Sequence, residues 1–346
     1  MEAAEFSQAV SDLLGKAGVP TKHELRELPG TGNNRAFEVR SASGKLLLKE
    51  YFYHPRDPRD RLGTEYRFSE LLWEKGITSI AQPHAADPVH KLGLYQFIEG
   101  RPCAPADVTE ERIQECLKFL SEINHGARHG AERTLALASE PCLSINEHLD
   151  CIERRVQRLQ GIDESTEIGK AATNFVAATL LPLWEDTKEA VTRQAMKKGA
   201  SLSHVLTLAE RLLSPSDLGF HNALITPSGE LFFVDFEYAG WDDPARTTSD
   251  YFCQPRVPVP LRFRPLFTSG LETILPNPER YRIHAELIFP VYQIKWCCIM
   301  LADFLPVASE RRNFAKGGES LETRRRQQLE KATTFASSIT LTFVRE

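Results

Sequence analysis

The chain has 346 residues, enough for two lobes with separate cores, and 42% of them are hydrophobic and 26% charged. That balance excludes a disordered chain, and a net charge of −5 excludes the basic footprint of a nucleic-acid binder. The acidic start Met1-Glu2-Ala3-Ala4-Glu5 lacks the basic and apolar regions of a signal peptide. The apolar stretch 287–307 is broken by Pro290, Gln293, Lys295, Asp303 and Pro306, so it reads as a buried helix and no membrane association is expected. Seven scattered cysteines without a CxxC spacing read as reduced thiols of a cytoplasmic protein, not as a disulfide framework or a zinc site.

In chain order, residues 6–17 carry Phe6, Val10, Leu13 and Leu14 at helical spacing and stop at Gly18 and Pro20. Two strands are expected at 25–28 and 36–40, separated by Pro29-Gly30-Thr31-Gly32-Asn33-Asn34. After a turn at Ser43-Gly44, a third strand, 45–51, has an apolar middle and a lysine, Lys49, near its end. A helix is expected over 61–75, then strands at 85–89 and 93–98, ended by Gly100-Arg101-Pro102. A lobe boundary is expected there, between residues 1–99 and 100–346. Helical periodicity then dominates from 110 to about 213, interrupted by Gly126, Gly130 and Gly161. A loop-and-hairpin region spans 214–243, and helices resume to the end apart from an irregular connection at 255–265. The expected fold class is α+β, a small β-rich lobe before a large, mostly helical one.

The chemistry concentrates in Ser214-Pro215-Ser216-Asp217-Leu218-Gly219-Phe220-His221-Asn222, followed by a turn at Pro227-Ser228-Gly229 and by Leu231-Phe232-Phe233-Val234-Asp235-Phe236-Glu237. An Asp and an Asn five residues apart on a loop adjoin a hairpin whose second strand runs into another Asp. Phosphoryl transfer needs such groups: a carboxylate to hold the acceptor hydroxyl, and hard oxygen donors for the magnesium that neutralises phosphate charge. A single loop Asp is more commonly a turn former or cap. The joint pattern D-x-x-x-x-N, strand, Gly turn, strand, Asp is far rarer.

These residues resemble the aminoglycoside phosphotransferase and choline kinase superfamily, distant relatives of the protein kinases, whose catalytic loop reads H-G-D-x-x-x-x-N and whose metal strand ends in I/V-D-[WF]-E. Ala239-Gly240-Trp241-Asp242-Asp243-Pro244-Ala245 looks like its G-x-x-D-P-A continuation. The resemblance implies a bilobal protein-kinase-like fold, Asp217 as catalytic base, Asn222 and Asp235 as magnesium ligands, ATP or GTP as the nucleotide, and Asp250 as a brace for the catalytic loop. One departure is plain: Pro215 stands where the family has His two residues before the catalytic Asp. His221 reads as a packing or loop residue.

A kinase-like fold also needs a loop over the phosphates, a strand lysine and a helix glutamate to hold it. The resemblance places Gly30, Gly32 and Asn34 in that loop, Lys49 as the lysine and Glu65 as its partner, with Glu70 the competing choice. It also places Gln96 and Ile98 in the hinge segment whose backbone bonds the adenine. It covers roughly residues 22 to 252 and implies a small-molecule kinase acting on a hydroxyl of a sugar, amino sugar or amino alcohol. An aminoglycoside-modifying kinase is the alternative. A protein kinase ranks lower, because no A-P-E-like segment follows Asp235; a nucleotide-binding pseudokinase has no need of Lys49, Asp217, Asn222 and Asp235 together. Asp242 and Asp243 read equally as a cationic-acceptor site or as a cap before Pro244.

Overall fold

The structure, a computed structural model, describes residues 3–29, 33–306, 314 and 320–339. The chain forms two compact units, 1–139 with 215–240 and 311–317, and 140–214 with 241–310 and 318–346.

The first unit is built on a five-stranded sheet of β1 (His23–Leu28), β2 (Arg35–Ser41), β3 (Gly44–Glu50), β4 (Pro83–Asp87) and β5 (Leu92–Gln96), in the order β1-β2-β3-β5-β4. All its neighbours are antiparallel. Alternation along the strands gives each face its own helix. Leu48, Val39 and Leu94 join Val10, Leu13 and Leu14 of α1 (Ala3–Lys16) in one core. Leu47 and Tyr95 point the other way, toward Leu62 of α2 (Arg61–Glu74). Lys49 shares the face of Leu47, and this register aims it at α2. Gly93 stands opposite Lys49, and a Cβ there would come within 2.7 Å of the Tyr95 ring and 3.1 Å of Leu62.

The expected strand 93–98 ends early, at Gln96, because its ladder with β3 stops at the Leu46–Gln96 pair. The expected boundary after residue 99 closes this sheet but not the unit. The short strand β6 (Arg101–Pro102) pairs with β7 (Ala223–Ile225), which pairs in turn with β8 (Leu231–Phe233). The β7–β8 turn uses Gly229 at φ 88°, a backbone that favours glycine. Phe119 of α3 (Glu110–Asn124) stacks on Phe233 at 4.2 Å.

The second unit contains the helices α4 (Ile145–Leu159), α5 (Glu167–Phe175), α6 (Leu181–Lys197), α7 (Pro244–Cys253), α8 (Arg264–Glu272), α9 (Pro278–Met300) and α10 (Leu321–Ser337), and α4, α6, α7, α8 and α10 all pack on α9. Ser144, Thr166 and Ser320 cap α4, α5 and α10 by accepting a backbone N–H. The stretch from Pro278 to Phe304 is long and apolar enough to cross a membrane, but 78% of its most apolar 18-residue window is buried inside the protein, as expected of a core helix. The helical pattern expected up to 213 fails after Lys198. Residues 199–211 are irregular because local side chains take the backbone: Glu210 accepts from both N and Oγ1 of Thr207 at 2.9 Å. All seven cysteines are buried, and none is in a disulfide.

Candidate functional site

Two groups of polar side chains lie in the first unit. The first surrounds Lys49. Its Nζ donates to Glu65 Oε2 at 2.6 Å and Oε1 at 2.9 Å, and to Asp235 Oδ1 at 2.7 Å. The Tyr51 hydroxyl donates to Glu65 at 2.7 Å and lies 2.8 Å from that of Tyr95. Burial works against the charge on Lys49, but the carboxylates of Asp235 and then Glu65 outweigh it and raise the pKa, so the ammonium persists. Burial also pushes the pKa of Glu65 up, with Lys49 opposing. Helix α2 turns Glu65 inward with Phe68 and Leu72. Glu70 sits on the exposed side and pairs with Arg67 at 2.7 Å.

The second group is the loop before β7. Asn222 donates from Nδ2 to the Asp217 carbonyl at 3.0 Å and to its Oδ2 at 3.1 Å. His221 Nε2 lies 3.1 Å from Asp217 Oδ1. Since a carboxylate accepts, Nε2 carries the proton. The Val234 N–H donates to the Asn222 carbonyl at 3.0 Å, so the hairpin ties the segment of Asp235 to Asn222. Ser216 and Asp235 adopt left-handed backbone, φ 65° and 71°. Such conformations cost of order 1–3 kcal/mol in a non-glycine residue and cluster at functional sites. Phe233 and Phe236, both buried, flank Asp235 in sequence and pack on Phe119.

Three partners here were given no site role in the sequence reading, which took His221 as a packing or loop residue. Glu237 is 1% exposed and accepts from Asn34 Nδ2 and Asn33 Nδ2, each at 2.7 Å. The Asn34 side chain, expected at the nucleotide, is therefore spent on Glu237 and, through Oδ1, on the Phe52 N–H at 3.2 Å. Burial and then the nearby Asp235 raise the pKa of Glu237. Tyr51 and His221 are the other two. For His221 a histidine beside a loop lacking its usual one is a local signal; Glu237 has none, since its partner Asn34 is 203 positions away. Gly30 and Gly32 lie outside the described residues. Gln96 ends β5, its Oε1 accepting from the Gln82 N–H at 3.3 Å, and Ile98 follows beyond the ladder.

Asp242 and Asp243, read equally as a cationic-acceptor site or a cap, belong to the second unit and are both fully buried. Asp242 faces Arg246 at 3.3 Å, and Asp243 caps α7 by accepting the Ala245 N–H at 2.7 Å. Asp250 accepts from Lys295 at 2.7 Å and from Trp296 Nε1 at 2.8 Å, a pairing within the second unit.

The family model described as APH, phosphotransferase enzyme family, matches residues 24–246. No curated protein matches in sequence. Among solved structures, spectinomycin phosphotransferase APH(9)-Ia with ADP and spectinomycin aligns at TM-score 0.60 and 14% identity, covering 97% of this chain and 98% of that one. Choline kinase from Cryptosporidium parvum Iowa II aligns at 0.55 and 14% identity, covering 97% and 99%. A choline/ethanolamine kinase family protein from Mesorhizobium loti aligns at 0.58 and 13%, covering 99% and 97%. At these identities the likeness is one of fold.

Proposed function

As the chain belongs to the phosphotransferase enzyme family and is an ATP-dependent phosphotransferase of small molecules, we propose that its acceptor is a hydroxyl of a sugar, amino sugar or amino alcohol. The observation that carries this reading is the placement, in one unit, of Lys49 between Glu65 and Asp235 and of Asp217 against Asn222. The names of the neighbouring structures, directed at spectinomycin and choline, support the same range of acceptors.

Lys49, held as a cation by two carboxylates, contacts the nucleotide phosphates, and Glu65 keeps it on the correct side of the sheet. Asp217 orients the acceptor hydroxyl and takes its proton. The acceptor oxygen then bonds to the γ-phosphorus as the bond to the bridging oxygen breaks, and ADP leaves with that electron pair. His221 and Asn222 hold the two oxygens of Asp217, which fixes the carboxylate before the acceptor arrives. Asn222 and Asp235 suit magnesium. Both are hard oxygen donors, and Asn222 directs its NH₂ to Asp217, which leaves its carbonyl oxygen for an ion. Bound there, magnesium neutralises phosphate charge.

The test is a panel of hydroxylated metabolites assayed with ATP and Mg²⁺ for acceptor-dependent ADP release and a phosphorylated product. A product from at least one of the three classes, lost in excess chelator and in Asp235→Asn, is expected. Turnover that persists in chelator would remove the metal assignment. Phosphorylation of proteins alone would remove the acceptor class.

A further inference from the structure

The second unit holds a buried cluster that phosphoryl transfer does not use. His148 on α4, Asp243 at the start of α7 and His284 on α9 each offer a donor atom within 4.8 Å of the others. His148 and Asp243 are 0% exposed and His284 7%. With Oδ1 of Asp243 bonded to the Ala245 N–H, its Oδ2 faces two imidazoles, Nε2 of His148 at 2.8 Å and Nδ1 of His284 at 3.5 Å. A hydrogen bond accounts for the first contact. The second is too long for a charge-assisted one. Nε2 of His284 is also buried without a hydrogen-bond partner among the described residues.

We propose that these three side chains bind one divalent transition-metal ion of the zinc type, through Nε2 of His148, Oδ2 of Asp243 and Nδ1 of His284. Tetrahedral bonds of about 2.0–2.1 Å set donor atoms roughly 3.3 Å apart, the range these contacts span. Two imidazoles and a carboxylate select zinc or its neighbours over magnesium and calcium, which take oxygen shells. The Tyr292 hydroxyl lies 2.9 Å from Nδ1 of His148. By accepting the Nδ1–H it fixes the tautomer that frees Nε2 for a metal. A cavity of about 20 Å³ bordered by Asp243, Pro244, Tyr281 and His284 has room for one water as a fourth ligand. The ligands come from three helices, two of which pack on the third, so the ion fastens the core of this unit.

Protein stripped by chelator and loaded with Co²⁺ alone reports the site through its visible absorption. One retained equivalent per chain with the intense bands of tetrahedral coordination is expected, displaced by Zn²⁺ with a rise in melting temperature. His148→Ala and His284→Ala each abolish the band, and Tyr292→Phe weakens retention about 10-fold, the low end for a group that orients a ligand. Asp235→Asn leaves the band intact, which separates this site from the magnesium ligands of the first unit and from any failure of the proposed reaction. A folded wild-type chain that shows no tetrahedral band and loses Co²⁺ on desalting overturns the proposal. So does a band that survives in folded His284→Ala.

Discussion

His221 and Asp217 stand four residues apart with Nε2 3.1 Å from Oδ1, and the imidazole is almost wholly buried while its Nδ1 has no hydrogen-bond partner among the described residues. The contact joins the loop from the far side of Asp217 relative to Pro215, where relatives carry their histidine. With Asp217 as the base, His221→Ala frees one carboxylate oxygen and lowers kcat roughly 10-fold, a positioning loss smaller than the loss of the base itself. His221→Gln, which keeps a donor, recovers part of it. Equal kcat values for the wild type and a folded His221→Ala, measured at saturating ATP, contradict this role.

Lys49 bridges Glu65 and Asp235 in a nearly closed environment. Lys49→Ala leaves Glu65 buried without its cation, so stability falls by about 3–5 kcal/mol and the KM for ATP rises. Lys49→Arg keeps the charge but not the compact ammonium that fits between the two carboxylates, and recovers stability more than activity. Glu65→Gln raises the KM for ATP, whereas Glu70→Gln on the outer face leaves it unchanged. Urea melts and ATP titrations of the four variants check this. A severe loss at Glu70 with a silent Glu65 reverses the assignment.

Asp57 accepts from Arg59 Nε and from Arg61 NH2, each at 2.6 Å, and Arg61 is buried. Burial opposes its charge, but hydrogen bonds from Arg59 and Arg61 outweigh that and hold the pKa well below the usual carboxylate value. A carboxylate depressed in the folded state stabilises above its unfolded pKa of about 3.9 and loses that contribution as pH falls toward the folded value. Asp57→Asn therefore destabilises at pH 7, and the gap to wild type narrows as pH drops below about 4. Urea midpoints at pH 7, 5 and 3 test the sign. A gap that widens on acidification refutes it.

Asp217, Asn222 and Asp235 were legible because their chemistry is compressed into a loop and a hairpin, whose Gly229 turn brings the second strand back beside the first. Lys49 was legible from its place at the end of an apolar strand, and Glu65 from the resemblance, which puts the glutamate near the helix start; the structure sets it on one buried helical face with Phe68 and Leu72. Glu237 was not. Its partner Asn34 is 203 positions away, and nothing local announces a contact set by tertiary packing. His148 and Asp243, 95 positions apart on different helices, were hidden for the same reason. The stretch 199–211 was misread because its leucines follow a helical spacing while the Glu210 carboxylate takes the Thr207 N–H from the backbone.

Asp217 itself gives the sharpest test. Its side chain is partly exposed while Asn222 and His221 hold its two oxygens, so the carboxylate is both fixed and reachable. Asp217→Asn keeps size and shape but loses the charge that accepts the hydroxyl proton. The catalytic rate falls at least about 100-fold, the low end for a positioned general base. With the nucleotide held by Lys49 and magnesium, as proposed, ATP affinity changes little. The amide also presents a donor to His221 and Asn222, so one hydrogen bond weakens, and the melting temperature shifts by a few degrees at most, as expected for about 0.5–1.5 kcal/mol. Turnover, ATP binding and thermal melting are measured on one preparation. Near-normal turnover overturns the mechanism, and turnover lost together with ATP binding and the melting transition identifies a collapsed loop instead of a missing base.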